Sequence, residues 1–152
     1  MKFLPELSEK KKALAHLEMG SAVKLSLHFE PGFVEANGFG SKWLLLLTAS
    51  EEPFHVFWWG PAGSDSIVAW AGGPKALALS KLTPEQKRDT ALDSLARTLS
   101  MPSSTTHSSF KEMRWHDWQA DPYSAGAYSY GGVGGKAAFG ELAKPIGETL
   151  FF

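Results

Sequence analysis

The run SAVKLSLHFE, Ser21 to Glu30, alternates without a break: Val23, Leu25, Leu27 and Phe29 are apolar, and Lys24, Ser26, His28 and Glu30 are polar. Successive side chains of a strand point to opposite faces, so a period of two over this length specifies a half-buried strand. Such a strand is not stable alone. Its apolar side has to be covered by other elements, and the rest of the chain has to supply them. The same alternation places Lys24 on the face opposite the aliphatic side chains.

The partners are legible. Three more strand-like runs begin at Lys42 (KWLLLLT), Phe54 (FHVFWW) and Ser66 (SIVAWAG), separated by the turn-rich segments ASEEP and GPAGSD. SSFKEMRW from Ser108 and ETLFF at the end read as further strands. Ser8 is a good N-cap for a short helix through about Leu17, which Gly20 ends. A stronger helix start follows at Thr83, with Pro84 at the first helical position and Gln86 completing a capping-box pattern. Ala91, Leu92, Leu95, Ala96 and Leu99 then form its apolar stripe. No repeat or linker divides residues 1–152. The expected fold is α+β, one domain with a largely antiparallel or mixed sheet and a long helix packed on one face.

Composition narrows the function classes. Fifteen basic and sixteen acidic residues leave no basic stripe of the kind nucleic acid requires. The absence of cysteine removes disulfides, thiolate metal sites and cysteine nucleophiles together. The N-terminal segment is Lys-rich and amphipathic, without the apolar core of a signal peptide, and WLLLL is far too short to span a bilayer. A soluble, cytoplasmic chain with no nucleic-acid or membrane partner is expected. The unusual quantity is six tryptophans. Aromatic excess either fills a core or lines a cavity or interface.

Several motifs fail on inspection. GGVGGKA lacks the phosphate-loop pattern, because Tyr130 stands where its first glycine belongs and Ala137 replaces the Ser or Thr. NGFGSKW fails the dinucleotide pattern at Trp43. His16, His28, His55, His107 and His116 share no metal-ligand spacing, and no G-x-S-x-G elbow is present. Asp117 and Asp121 lie in a turn-prone stretch suited to capping hydrogen bonds. Gly131, Gly132, Gly134 and Gly135 read as a flexible connection.

The stretch WQADPYSAGAYSY, Trp118 to Tyr130, resembles a segment shared by flavin-dependent amine oxidases: monoamine oxidases, polyamine oxidases and flavin-dependent histone lysine demethylases. In that family a Trp, an acidic residue followed by Pro, an aromatic and a G-x-Y-S-[YF] turn lie next to the flavin. The likeness is collinear over most of the chain. LPELSEKKKALAHLEMGSAVKLSLHFEPGF is similar to the family's helix, glycine turn and lysine-bearing strand. AWAGGPKALALSKLTPEQKRDTALDSLARTL is similar to its glycine turn and long helix, and GETLFF to the strand preceding its A-G-E flavin motif.

The resemblance implies a substrate-domain-like fold and roles for particular residues. Lys24 matches the catalytic lysine that holds a water against flavin N5. Tyr128 matches one wall of the aromatic cage that orients the substrate amine. Trp118 and Tyr123 match aromatics around the flavin and the site entrance, Trp118 also facing substrate. Ala127 occupies the place where some members bond flavin covalently through cysteine, so FAD in a full-length protein would be held non-covalently. His55 and Phe57 are weaker candidates for the cavity lining.

The G-x-G-x-x-G motif is absent, and the A-G-E segment and the second cage aromatic would follow Phe152. The chain thus resembles the later part of the family's substrate-binding domain, without the FAD-binding domain. The apolar ending LFF suggests a truncated polypeptide. The expectation is the substrate-binding portion of an amine oxidase, inactive and without FAD when alone. The alternative is a stand-alone interaction or small-amine-binding module that self-associates or pairs with a flavoprotein.

Overall fold

The alternating run forms β2 (Ala22–Phe29), the strand around which the main sheet is built. The computed structural model describes residues 3, 6–38, 45–47, 51–60, 63–147 and 150–151. Five strands pair antiparallel in the order β3-β4-β5-β2-β6, with β3 at Leu45–Leu47, β4 at Val56–Trp59, β5 at Ser66–Gly72 and β6 at Phe110–Trp115. Val23, Leu25, Leu27 and Phe29 of β2 are buried on one face, beside Ile67, Ala69 and Ala71 of β5 and Phe57 and Trp59 of β4. Lys24 is exposed on the other. Antiparallel sheets with one covered face produce this alternation.

The cover is helical. Helix α4 (Pro84–Thr98) contributes Ala91, Leu92 and Leu95 to the core, and α3 (Gly73–Ser80) contributes Ala76 and Leu79. The capping box forms as expected: the Thr83 side chain accepts from the Gln86 N–H at 3.2 Å, and the Gln86 side chain accepts from the Thr83 N–H at 3.0 Å. Lys87 is buried on the same helix, yet its ammonium is satisfied. It donates to the Ser80 and Leu82 carbonyls and lies 4.5 Å from the centre of the Trp115 ring.

A second, smaller layer carries the rest. Strand β1 (Leu17–Gly20) pairs antiparallel with β7 (Tyr128–Gly131), and α1 (Ser8–Leu14) packs with α6 (Gly135–Leu142) beside this ribbon. The buried Lys10 side chain of α1 donates to the Glu141, Leu142 and Lys144 carbonyls at the end of α6. Two short helices, α2 (Phe33–Ala36) and α5 (Ser103–Ser109), complete the described elements.

Several expectations change. The first helix stops at Leu14, and Leu17–Gly20 is a strand, because those residues are taken into the ribbon. Ser8 is the first helical residue, and Leu7 stands at the N-cap without a side-chain hydrogen bond. The glycine run is ordered. Gly131 belongs to β7, Gly134 caps α6 in the left-handed conformation (φ +84°), and Gly135 begins that helix. Of the final strand, Leu150 makes an isolated bridge to Ile146, and residues 148, 149 and 152 lie outside the described part. Of KWLLLLT, residues 45–47 form β3, and the others lie outside the described residues.

Candidate functional site

The open face of the main sheet is set by register. Lys24 lies opposite Trp70, Ser26 opposite Val68 and His28 opposite Ser66 along β2 and β5, while Trp58 of β4 pairs with Val68. Lys24 Nζ stands 5.7 Å from the centre of the Trp58 ring, within range of the ring's negative face. His55 meets the Trp70 ring edge-on, centroids 5.8 Å apart. A lysine ammonium is therefore held among indoles on the face opposite the one that α3 and α4 cover.

The ribbon adds the next component. Tyr128 pairs with Gly20 in the β1–β7 register, and its phenol ring lies over that glycine, where a Cβ would sit 2.9 Å from Tyr128 Cε2. The ring reaches on to the main sheet. A Cβ at Gly72 would sit 3.1 Å from the Tyr128 hydroxyl and 2.5 Å from Trp70 Cη2. Trp70 thus touches the point that Tyr128 reaches and is itself the cross-strand partner of Lys24. Lys24, Trp70 and Tyr128, far apart in sequence, share one surface. Tyr128 remains about half exposed, at 48 %.

Beside Tyr128 runs a groove of about 400 Å³, lined by Gly20, Ser21, Pro74, Leu77, Tyr128 and Tyr130. The Tyr130 hydroxyl donates to Glu18 Oε2 at 2.5 Å. The carboxylate favours the protonated phenol, so the Tyr130 pKa is raised above its ordinary value.

The aromatic segment before β7 is a built loop. Asp117 Oδ1 accepts from the Gln119 and Ala120 N–H groups, and Asp121 Oδ1 accepts from the Tyr123 N–H at 2.8 Å. His116 Nε2 lies 2.8 Å from Asp121 Oδ2, and the Trp118 ring meets the His116 ring edge-on at 4.6 Å. The Tyr123 N–H bond, followed by that of His116, lowers the Asp121 pKa. The loop is anchored by Gly126 N–H to Trp118 O and by Ala127 N–H to Gly20 O. Both aspartates therefore serve the capping role their turn-prone setting suggests. Trp118 is 43 % exposed and Tyr123 98 % exposed, so the Tyr123 ring packs against almost nothing in this chain.

Of the weaker candidates, Phe57 is fully buried on the core face, because β4 turns it toward the helices, and it does not line the open face. His55 does border that face, through Trp70. Trp58 and Trp70 are missing from the sequence reading of the site. The signal was present: SIVAWAG alternates, and its small alanines mark the side that helices approach, which leaves Trp70 on the open one. Among the described residues no group of three or more His, Asp or Glu side chains could hold a metal ion, and no helix is long and apolar enough to cross a membrane.

A family model described as flavin containing amine oxidoreductase matches residues 1–152. No curated protein matches the sequence significantly. Among solved structures, a putrescine oxidase variant is 22 % identical with a TM-score of 0.79, covering 97 % of this chain and 32 % of that one. Cyclohexylamine oxidase from Brevibacterium oxydans IH-35A is 21 % identical with a TM-score of 0.78, again covering 97 % and 32 %. Wild-type putrescine oxidase bound to putrescine gives 23 % and 0.73, covering 95 % and 31 %. The fold is thus that of a part of these oxidases, and the chain spans about a third of their length.

Proposed function

Because the chain belongs to the flavin containing amine oxidoreductase family, we propose that it is the substrate-binding portion of a flavin-dependent amine oxidase. The observation that carries this reading is the convergence of Lys24 and Tyr128 on one aromatic surface through Trp70. When bound, FAD would accept a hydride from the carbon bearing nitrogen and pass the two electrons to dioxygen, giving hydrogen peroxide, while water hydrolyses the imine to an aldehyde and ammonia or an amine. The residues present suit that group. A lysine ammonium beside indole rings offers a positive hydrogen-bond donor to negative charge developing on a neighbouring heterocycle. Tyr128 presents a π-face that orients an amine. Trp118 stands on the loop just before it, where a bound flavin would cover its exposed indole. Ala127, exposed at the entry to β7, has no atom that could bond to flavin, so the cofactor is held non-covalently.

By itself the 152-residue chain does not retain FAD or oxidise amines, because phosphate and ribose contacts supply much of a dinucleotide's affinity and the G-x-G-x-x-G motif that makes them is absent from it. Isothermal titration of the isolated chain with FAD is expected to give no binding at micromolar concentration. The exposed aromatics Tyr123, Trp118 and Tyr128 favour one second reading, a stand-alone module that pairs with a flavoprotein or with itself.

The experiment that separates the two is the intact mass and visible absorbance of the protein captured by antibody from its own cells. A yellow polypeptide much larger than 16.5 kDa is expected. A colourless species at 16.5 kDa would overturn the oxidase reading.

A further inference from the structure

Two aromatic rings from different sheets meet over a single glycine. The backbone of Gly72 is extended, with φ −126° and ψ 169°, a conformation any residue adopts. Conformational freedom is therefore not what this position needs. Space is. A Cβ there would lie 2.5 Å from Trp70 Cη2, 2.9 Å from Trp70 Cζ2 and 3.1 Å from the Tyr128 hydroxyl, all shorter than the roughly 3.5–4.0 Å of carbon contacts.

We propose that Gly72 is the positioning residue of the amine-facing surface. Its missing side chain seats the Trp70 indole over β5 and lets the Tyr128 hydroxyl close on the same point, so that Lys24, Trp70 and Tyr128 form one continuous wall. The functional consequence rests on the amine oxidase reading; the convergence of the rings stands without it.

A methyl group at this position moves the ring rather than the strand. Gly72 is paired with Ala22 in the β2–β5 ladder, and the next residue, Gly73, donates to Ser21 O at 2.9 Å. Trp70, by contrast, is only partly buried, on the face opposite α3 and α4, and the atoms the methyl would meet are the far end of its indole. Tyr128 is similarly free at its exposed edge. The wall is therefore displaced while the core beneath it, Leu25, Ala69 and Ala71, keeps its packing.

Gly72→Ala, Trp70→Phe and the double variant close a cycle that tests this, because phenylalanine lacks the outer indole ring that meets the new methyl. In the 152-residue chain, Gly72→Ala is expected to unfold at the wild-type urea concentration yet lose the nuclear Overhauser contact between the Trp70 and Tyr128 rings. Retention of that contact, or its loss only with a large fall in the urea midpoint, would overturn the proposal. In the native flavin-containing protein, Gly72→Ala is expected to lower kcat/KM for benzylamine about tenfold, the scale set by a small misplacement of orienting groups. In the Trp70→Phe background the same substitution should cost clearly less, because only the 3.1 Å approach to the Tyr128 hydroxyl is left. An equal loss in both backgrounds would overturn the positioning role. A native protein without flavin removes the oxidase reading instead, and the ring contact in the isolated chain still decides whether Gly72 seats the two rings.

Discussion

Ser100 carries a conformation that its side chain does not favour. It follows the end of α4 with φ +54°, while Met101 N–H bonds to Ala96 O at 2.9 Å and Ser100 N–H to Arg97 O at 3.2 Å. That is the Schellman arrangement, in which the residue after the cap is left-handed and usually glycine. A side chain in that region costs about 1–2 kcal/mol, part of which glycine returns as unfolded-state entropy. Ser100→Gly is therefore expected to stabilise the chain by about 0.5–1 kcal/mol, read as a higher urea midpoint with an unchanged m-value. Single residues also show what the sequence can reveal about a site. Lys24 is assigned to the open face by alternation alone, because a one-residue slip would bury its charge. Tyr128 gains its position only from the ribbon, a long-range pairing between residues that no local pattern connects.

At the scale of elements, α4 is tied to its neighbours by two acidic contacts. Arg97 forks onto Glu52, Nε to Oε1 at 2.8 Å and Nη2 to Oε2 at 2.9 Å. Asp93 accepts from Ser103 of α5 and lies 3.0 Å from His107 Nε2. The Arg97 bond lowers the Glu52 pKa, and the Ser103 bond, followed by that of His107, lowers that of Asp93. Because the folded values lie below the unfolded ones, near 4, these contributions are fully present above that pH. They are lost as pH falls through the lower folded values. Glu52→Gln and Asp93→Asn should each reduce stability at neutral pH and flatten its decline below about pH 4 in urea titrations at successive pH values. The elements also differ in legibility. The α4 start and the strands β2, β4 and β5 were plain, because capping chemistry and period two are local signals. Strand β1 and helix α6 were not. Leu17–Gly20 has no alternation long enough to register, and GKAAFGEL begins inside a glycine run whose order comes from pairing with β1 and packing against α1.

Across the whole molecule, apolar surface is distributed unequally. One sheet face is sealed by α3 and α4, while the ribbon and the loops beside it expose Trp118, Tyr123, Tyr128, Tyr130 and Met19, with Val133 almost fully open at 99 %. Met19, Tyr128 and Tyr130 line one groove, and adjoining exposed apolar side chains mark a surface meant to be covered. The isolated chain is expected to enhance the fluorescence of an apolar dye in native buffer. Replacing the almost fully exposed Tyr123 by serine should reduce that signal without moving the urea midpoint. The connection at Ser21 gives this side a mechanical character. One residue separates β1 from β2, so a single backbone run serves as an arm of the ribbon and then as an interior strand of the main sheet. The arm from Ser21 to Leu17 is about 13 Å long at the usual rise per residue, and a tilt of about 10° at Ser21 would carry its tip through about 2 Å. Tyr128, opposite Gly20, sits beside the fulcrum, whereas Tyr130 and Glu18 ride further out along the lever. Bending of the ribbon therefore changes the width of the groove mouth while the spacing between Lys24 and Tyr128 stays nearly constant.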